Sequence, residues 1–216
     1  MAYMFHHYDQ ALQWIEQCKP LENCYTFSLL LTIFTFYEGL IYLAIVNNDP
    51  CMKSYKRRAE ECIHLFRKWS QSCPINYSNK LMLLEAEFSV ANGSSAKKSI
   101  DLYEKSIALS KEYGYIHESA LAYERLAISR IANLSDPSSY LREAFDKYEK
   151  WGALTKMIHL KKKISIYFNE SIPLAVGPGE IQDIDDAVSE ITNNLLRVLK
   201  FLSLNPRFNG LAEYPF

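Results

Sequence analysis

The sequence predicts an all-α fold, in which antiparallel helix pairs with elongated helices stack into a solenoid closed by a C-terminal capping helix. Three observations predict it. Apolar residues recur with period 3.6, and period-2 alternation is nearly absent. Breakers fall at regular intervals: Lys19-Pro20, Asn47 to Pro50, Cys73-Pro74, Asn92-Gly93, Gly114, Ser135-Asp136-Pro137, Gly152, and Pro173 to Gly179. The segments between them have helix length. Finally, a small-then-bulky spacing returns on alternate helices.

Taken in order, helices are expected at 3–18, 24–46, 52–72, 77–91, 95–113, 116–133, 137–151, 153–168 and 180–203. The first begins in "MAYMFHHYDQ", which has no basic start followed by an apolar run, so no signal peptide is expected. The second holds the most apolar stretch of the chain, "YTFSLLLTIFTFYEGLIYLAIV" at 25–46. It has the ~20 residues that suffice to cross a bilayer. Glu38 near its middle, Thr26, Ser28, Thr32 and Thr35 along it, and flanks without a Lys/Arg bias all speak against a span. A helix apolar nearly all round is equally the central helix of a larger domain. It should be covered by 3–18 and 52–72.

In 52–72 the solvated face is "YKRRAEE", with Arg57 and Glu61 at i,i+4. Gly114 suits the left-handed residue that ends helix 95–113. Asp136-Pro137 is an N-cap followed by proline at the first helical position. "HLKKK" at 159–163 reads as a solvated face. "VGPGE" at 176–180 is a linker, because its central proline removes an N–H that an anion nest would need. The layout is a helical domain at 1–168, a linker at 169–179, a helix at 180–203 and a tail at 204–216. In 180–203, Ile181, Ile184, Val188, Ile191, Leu195, Val198 and Leu202 form a stripe that Leu196, Leu199 and Phe201 widen. A wide stripe caps a solenoid better than it pairs in a coiled coil, so the chain is expected to be monomeric.

The helices pair. One type carries "YEGL" (37–40), "LEAE" (84–87) and "YERL" (123–126), which aligns Glu38, Glu85 and Glu124. The type that follows carries Ala59, Ile63, Phe66, then Ser99, Tyr103, Ser106, then Ala144, Tyr148, Trp151. A small residue one turn from a bulky one lets two helices approach and interlock, as in the tetratricopeptide (TPR) repeat. The spacings, 40 from Ala59 to Ser99 and 45 from Ser99 to Ala144, exceed the ~34 of a standard TPR. The fold is therefore TPR-like, with elongated helices. A glutamate that recurs at one repeat position has a structural task, such as pairing with a base, and both Tyr148 and Trp151 are expected in the core.

Composition excludes several classes. The 24 basic and 25 acidic residues, with pI about 6.5, offer no basic field to nucleic acid or anionic lipid. Five cysteines, Cys18, Cys24, Cys51, Cys62 and Cys73, include no C-x-x-C pair. Free thiols in a reducing cytosol are expected, and no metal site or cofactor. The Asn-x-Ser sequons at Asn76, Asn92, Asn133 and Asn169 then carry no glycan.

The stretch from about 36 to 165 resembles a known family. Trp69…Cys73-Pro74-Ile75-Asn76 and Leu84-Glu85-Ala86-Glu87 match its motifs. So do "YEKSIALSKEYGYIHESALAYE" (103–124), led by Tyr103 and turning at Gly114-Tyr115, and "EAFDKYEKWGALTKMIHL" (143–160), with Ala144, Tyr148, Trp151 and Gly152. These motifs resemble the helical TPR-like region of the large hybrid sensor histidine kinases. That region lies between a predicted ATPase and a GAF domain; the fungal peroxide-stress histidine kinases are members. The resemblance implies a role in phosphorelay or stress signalling through protein contacts.

The catalytic parts of that family are missing from the sequence. There is no G-x-x-x-x-G-K-[ST] loop, no Asp-Phe-Gly and no glycine-rich ATP lid. No enzyme activity is expected. His117-Glu118 is like a phosphoaccepting H-box, but it lies on the first turn of a helix just after Gly114-Tyr115 and reads as structural. His64 and His159 read as helix-surface or packing residues. The resemblance to peroxide-stress kinases makes Cys62 or Cys73 a candidate peroxide sensor, with Arg58, His64 and Arg67 as the electropositive setting near Cys62, though burial as an inert thiol is the simpler reading. The expectation is a cytoplasmic, non-catalytic scaffold that binds protein partners. An autonomous TPR-type adaptor holding a peptide in its groove is the alternative.

Overall fold

The structure, a computed structural model, describes residues 2–19 and 29–168. The linker at 169–179, the helix at 180–203, the tail at 204–216 and the start of 24–46 lie outside the described residues. A 3-10 turn, Ala2–Phe5, leads to eight α-helices among the described residues: α1 (Tyr8–Cys18), α2 (Leu29–Asn48), α3 (Lys53–Ser72), α4 (Pro74–Ala91), α5 (Ala96–Glu112), α6 (Ile116–Ser129), α7 (Pro137–Trp151) and α8 (Leu154–Phe168). A second 3-10 turn, Ile131–Asn133, follows α6. No strand occurs among these residues.

The ends follow the local chemistry. Gly114 and Gly152 adopt φ of +77° and +78°. Just beyond them, Tyr115 N–H bonds the Ser110 carbonyl at 2.8 Å and Ala153 N–H bonds the Tyr148 carbonyl at 2.9 Å. Both are closures that a left-handed residue makes possible. The Asp136 side chain accepts from Ser139 N–H at 3.2 Å, and Pro137 opens α7. α4 starts at Pro74, ahead of the expected Tyr77, because proline fits the first helical turn. The expected helix 3–18 is broken. His6 has φ +63°, a left-handed backbone that no helix tolerates, and α1 begins only at Tyr8.

Each helix from α2 to α8 packs on its neighbour in sequence, with extra contact of α2 to α4 and of α4 to α6. Short connections make such neighbours antiparallel. The two helix types bury differently. α3, α5 and α7 bury one stripe: Ala59, Cys62, Ile63 and Phe66 on α3, Ser99, Tyr103, Ser106 and Ile107 on α5, Leu141, Ala144, Phe145 and Tyr148 on α7. α2 and α6 are buried on every side, over 38–46 and 118–127. α2 is long and apolar enough to cross a bilayer by length and composition, yet 56% of that stretch is buried inside the protein. It packs on α1 and α3 as expected, and on α4 as well. Gly39 allows this close approach: a Cβ there would lie 2.9 Å from Leu84 Cδ2 and 3.1 Å from Cys62 Cβ.

Eight of the nine residues in the small-then-bulky pattern are buried. Trp151 is the exception, at 49% exposed. It is the last residue of α7, where Gly152 turns the chain away, so no further turn of helix covers it. Its indole stacks on the His117 ring, with centroids 5.3 Å apart.

Candidate functional site

The alignment of Glu38, Glu85 and Glu124 holds in one respect: each faces a base. Arg58 lies 3.5 Å from Glu38, Arg67 2.8 Å from Glu85 and Lys156 2.8 Å from Glu124. It fails in burial. Glu85 sits at the surface with Arg67, and Glu87 takes the inner position. Tyr103 O–H donates to Glu87 Oε1 at 2.8 Å, as Tyr148 O–H donates to Glu124 Oε2 at 2.9 Å. The tyrosines at equivalent places on α5 and α7 thus each hold a buried carboxylate on the helix before.

Around these carboxylates lies a buried polar cluster that joins α4, α6 and α8 to residues 2–8. Arg125 grips Glu87 with two parallel bonds, Nε to Oε1 at 2.6 Å and Nη2 to Oε2 at 2.8 Å. Its Nη1 donates to the Tyr8 hydroxyl at 2.7 Å. Lys156 Nζ donates to Glu124 Oε1 at 2.8 Å, to the Met4 carbonyl, and to His159 Nδ1 at 3.2 Å. His6 Nε2 lies 3.0 Å from Glu124 Oε1, and His6 Nδ1 lies 2.6 Å from Tyr8 Oη.

With both imidazoles neutral, the donor inventory gives one consistent set of protons. Carboxylates only accept, so His6 Nε2 carries its hydrogen. His6 Nδ1 then accepts from Tyr8 O–H, whose oxygen accepts from Arg125. Lys156 uses all three hydrogens, so His159 Nδ1 accepts. Both imidazoles are neutral, and burial holds them so: it lowers the His6 value and, helped by the Lys156 ammonium, lowers His159 to about 3. Burial alone would raise the Glu124 carboxyl. Lys156 and the His6 bond outweigh it and keep the group well below the carboxylate range. Burial pulls the Arg125 guanidinium down, and Glu87 more than restores it.

His6, Glu124 and His159 offer ligand atoms within 4.8 Å of one another, a donor set that zinc accepts elsewhere. Here the Lys156 ammonium occupies the cationic position among them. The cluster does the work of charge neutralisation with the chain's own amine. It joins residues more than 100 positions apart, and no local motif marks it. The nearest signal was Arg125 inside "YERL". His159, expected on a surface or in packing, is half-buried with Phe5 at 5.3 Å, and His64 is exposed.

The other motif residues gather at the turns. The Trp69 ring packs on Phe66 and Tyr77, at 5.1 and 5.7 Å, and so closes the α3–α4 turn that Pro74 begins. Tyr115 O–H donates to Asn76 Oδ1 at 2.9 Å, tying that turn to the one at Gly114. Lys80 Nζ sits 4.1 Å above the Tyr115 ring and 2.8 Å from Glu118 Oε1. His117 Nε2 lies 2.8 Å from Glu118 Oε2, so the His-Glu pair closes on itself. Ala144 is fully buried against the core.

Cys62 is not electropositive. Its thiol donates to Glu38 Oε2 at 3.6 Å, and burial, with Glu38 next, pushes it far above an ordinary thiol. Arg67 is engaged by Glu85, and His64 points outward.

Comparison with known protein families, with characterised proteins and with solved structures finds no match to this chain.

Proposed function

We propose that this chain is a non-catalytic helical scaffold, a TPR-like α-solenoid that acts through protein contacts. The observation that carries the reading is the repeated tyrosine–carboxylate bond. Tyr103 to Glu87 ties α5 to α4 and Tyr148 to Glu124 ties α7 to α6, at 2.8 and 2.9 Å, so two successive helix pairs are closed by the same bond. Row contacts between α2 and α4 and between α4 and α6 support the same arrangement. Stacked pairs of this kind present long surfaces to partners.

The sequence motifs link the scaffold to the region between the ATPase and GAF domains of hybrid sensor histidine kinases, and so to phosphorelay or stress signalling. A stand-alone adaptor with a peptide on its inner face is the second reading. It is favoured by the way residues 2–8 lie against α2, α6 and α8.

Capture from native extract tests the choice. The bait is the full chain beside a Trp151→Asp variant, since Trp151 is a large exposed aromatic. Sensor-kinase components retained by the first and lost by the second support the scaffold. Release of phosphate from ATP, or label on His117 with ATP alone, would replace it with an enzyme.

A further inference from the structure

α2 and α6 are buried on all sides because something covers the side away from α3, α5 and α7. Part of that cover is the segment Ala2–Tyr8, which belongs to no helix pair. Ala2, Tyr3 and Met4 are buried. The Tyr3 ring meets Tyr37 of α2 at 6.2 Å and lies under the Arg125 guanidinium of α6 at 5.8 Å. The Met4 carbonyl accepts from Lys156 of α8. Phe5 packs on His159, His6 bonds Glu124, and Tyr8 bonds Arg125. The segment is thus read as an extended ligand is read: ring, backbone carbonyl, ring, imidazole, phenol.

Two features set this contact apart from ordinary core. First, the surface beneath keeps its charges paired without the segment: Glu87 with Arg125, and Glu124 with Lys156 and Tyr148. Exposed to water, those pairs stay satisfied, and their burial is what costs energy. Second, His6 is held at φ +63°, a conformation that costs a non-glycine residue and that release would relax.

We infer that the face shared by α2, α6 and α8 is a peptide-binding surface whose resident ligand is the chain's own residues 2–8. The partner it fits is a peptide of the same chemistry, with an aromatic ring, a second ring two residues on, then histidine, and tyrosine two residues after that. Such a peptide displaces residues 2–8 and takes their bonds to Arg125, Glu124 and Lys156. This rests on the scaffold reading only in taking α2, α6 and α8 as one continuous face.

The test uses the full chain and a fluorescein-labelled heptapeptide with the sequence of residues 2–8. A Tyr3→Ala/His6→Ala variant weakens the resident segment. Fluorescence anisotropy should show the variant binding the peptide at least about 10-fold more tightly than the unsubstituted chain, and neither binding a scrambled peptide. Equal affinities, or no binding by a variant with full helical signal, overturn the inference. If the variant loses its helical signal, limited chymotrypsin on the unsubstituted chain decides. Cleavage at Tyr3 or Phe5 should precede cleavage in α4 and α6 and speed up several-fold with added peptide. Cleavage there only together with the core, or no acceleration, overturns it. So does a concentration-dependent dimer, which would place the segment on a second copy. Any of these failures leaves the capture experiment for the scaffold unaffected.

Discussion

The Glu124 carboxylate and the Lys156 ammonium lie 2.8 Å apart, at 1% and 4% side-chain exposure, and between them they organise three helices and the first residues of the chain. A pair buried this deeply adds little over an apolar pair of the same shape. Its value is geometric. Their own bond joins α6 to α8, and their other bonds reach α7 through Tyr148 and residues 2–8 through His6 and Met4.

Removing one partner should therefore be far worse than removing both. Lys156→Met is expected to cost about 3–5 kcal/mol, because Glu124 stays behind as an uncompensated buried charge. Adding Glu124→Gln to that variant should recover at least half of the loss. Urea melts of the two singles and the double give the coupling. An additive double would show that the two side chains act independently.

Tyr148 and Trp151 are one turn apart and should differ sharply. Tyr148→Phe loses the bond to a buried carboxylate and is expected to cost about 1.5–3 kcal/mol. Trp151→Ala should cost under about 1 kcal/mol, since the indole is half exposed and its ring contacts are a stack on His117 and a tilted contact with Tyr148. Thermal melting of both variants checks the contrast, and a larger loss at Trp151 would return it to the core.

At Gly39, α2 packs tightly against Cys62 of α3 and Leu84 of α4. Gly39→Val puts two methyl groups where even a Cβ meets Leu84 at 2.9 Å and Cys62 at 3.1 Å. Overpacking of this kind costs about 1–3 kcal/mol. A chemical-denaturation midpoint that does not move would mean the helices part without cost.

Much of the helical frame was legible in the sequence, and the reason is local. Gly114, Gly152 and Asp136-Pro137 act within a few residues, so their pattern alone places helix ends. The stripes on α3 and α5 follow from spacing on a single helix. Trp151 was misplaced because spacing says which face a residue shares but not where the next element turns away. Glu85 and Glu87 were confused because both lie in "LEAE", and only the partner helices decide which one is buried. The His6, Arg125 and Lys156 cluster was invisible because its members meet only after residues 2–8, α6 and α8 have packed.

Cys62 should be inert. With its thiol facing Glu38 and held far above an ordinary thiol by burial, almost no thiolate forms near neutral pH, and the thiolate is the reactive form. Iodoacetamide at pH 8 should modify exposed Cys51 in the native chain and reach Cys62 only in denaturant. Peptide mapping by mass spectrometry reads this directly. Prompt alkylation or peroxide oxidation of native Cys62 would revive a sensor role.

Acid should loosen the protein well before its carboxylates protonate. Burial lowers the His6 and His159 values, the latter to about 3 with the help of Lys156, whereas an unfolded histidine titrates near roughly 6.5. Below that pH the unfolded chain binds more protons than the folded one, so stability falls as pH falls. For His159 the loss starts near 6.5 and continues towards about 3. The groups facing the two rings reinforce the direction: Lys156 and Lys163 lower both values, and only Glu124 opposes. Glu124 contributes in its own window. Its carboxyl is held low, so its stabilisation is complete above the unfolded value and is lost only as pH drops below roughly 4.5. Between pH 6.5 and 5 the decline therefore belongs to histidine. Urea midpoints measured from pH 7.5 to 5 should fall, and His159→Phe, which keeps a ring against Phe5, should flatten part of that slope. A midpoint that rises on acidification, or a slope the variant leaves unchanged, would show that His159 is not held neutral beside Lys156.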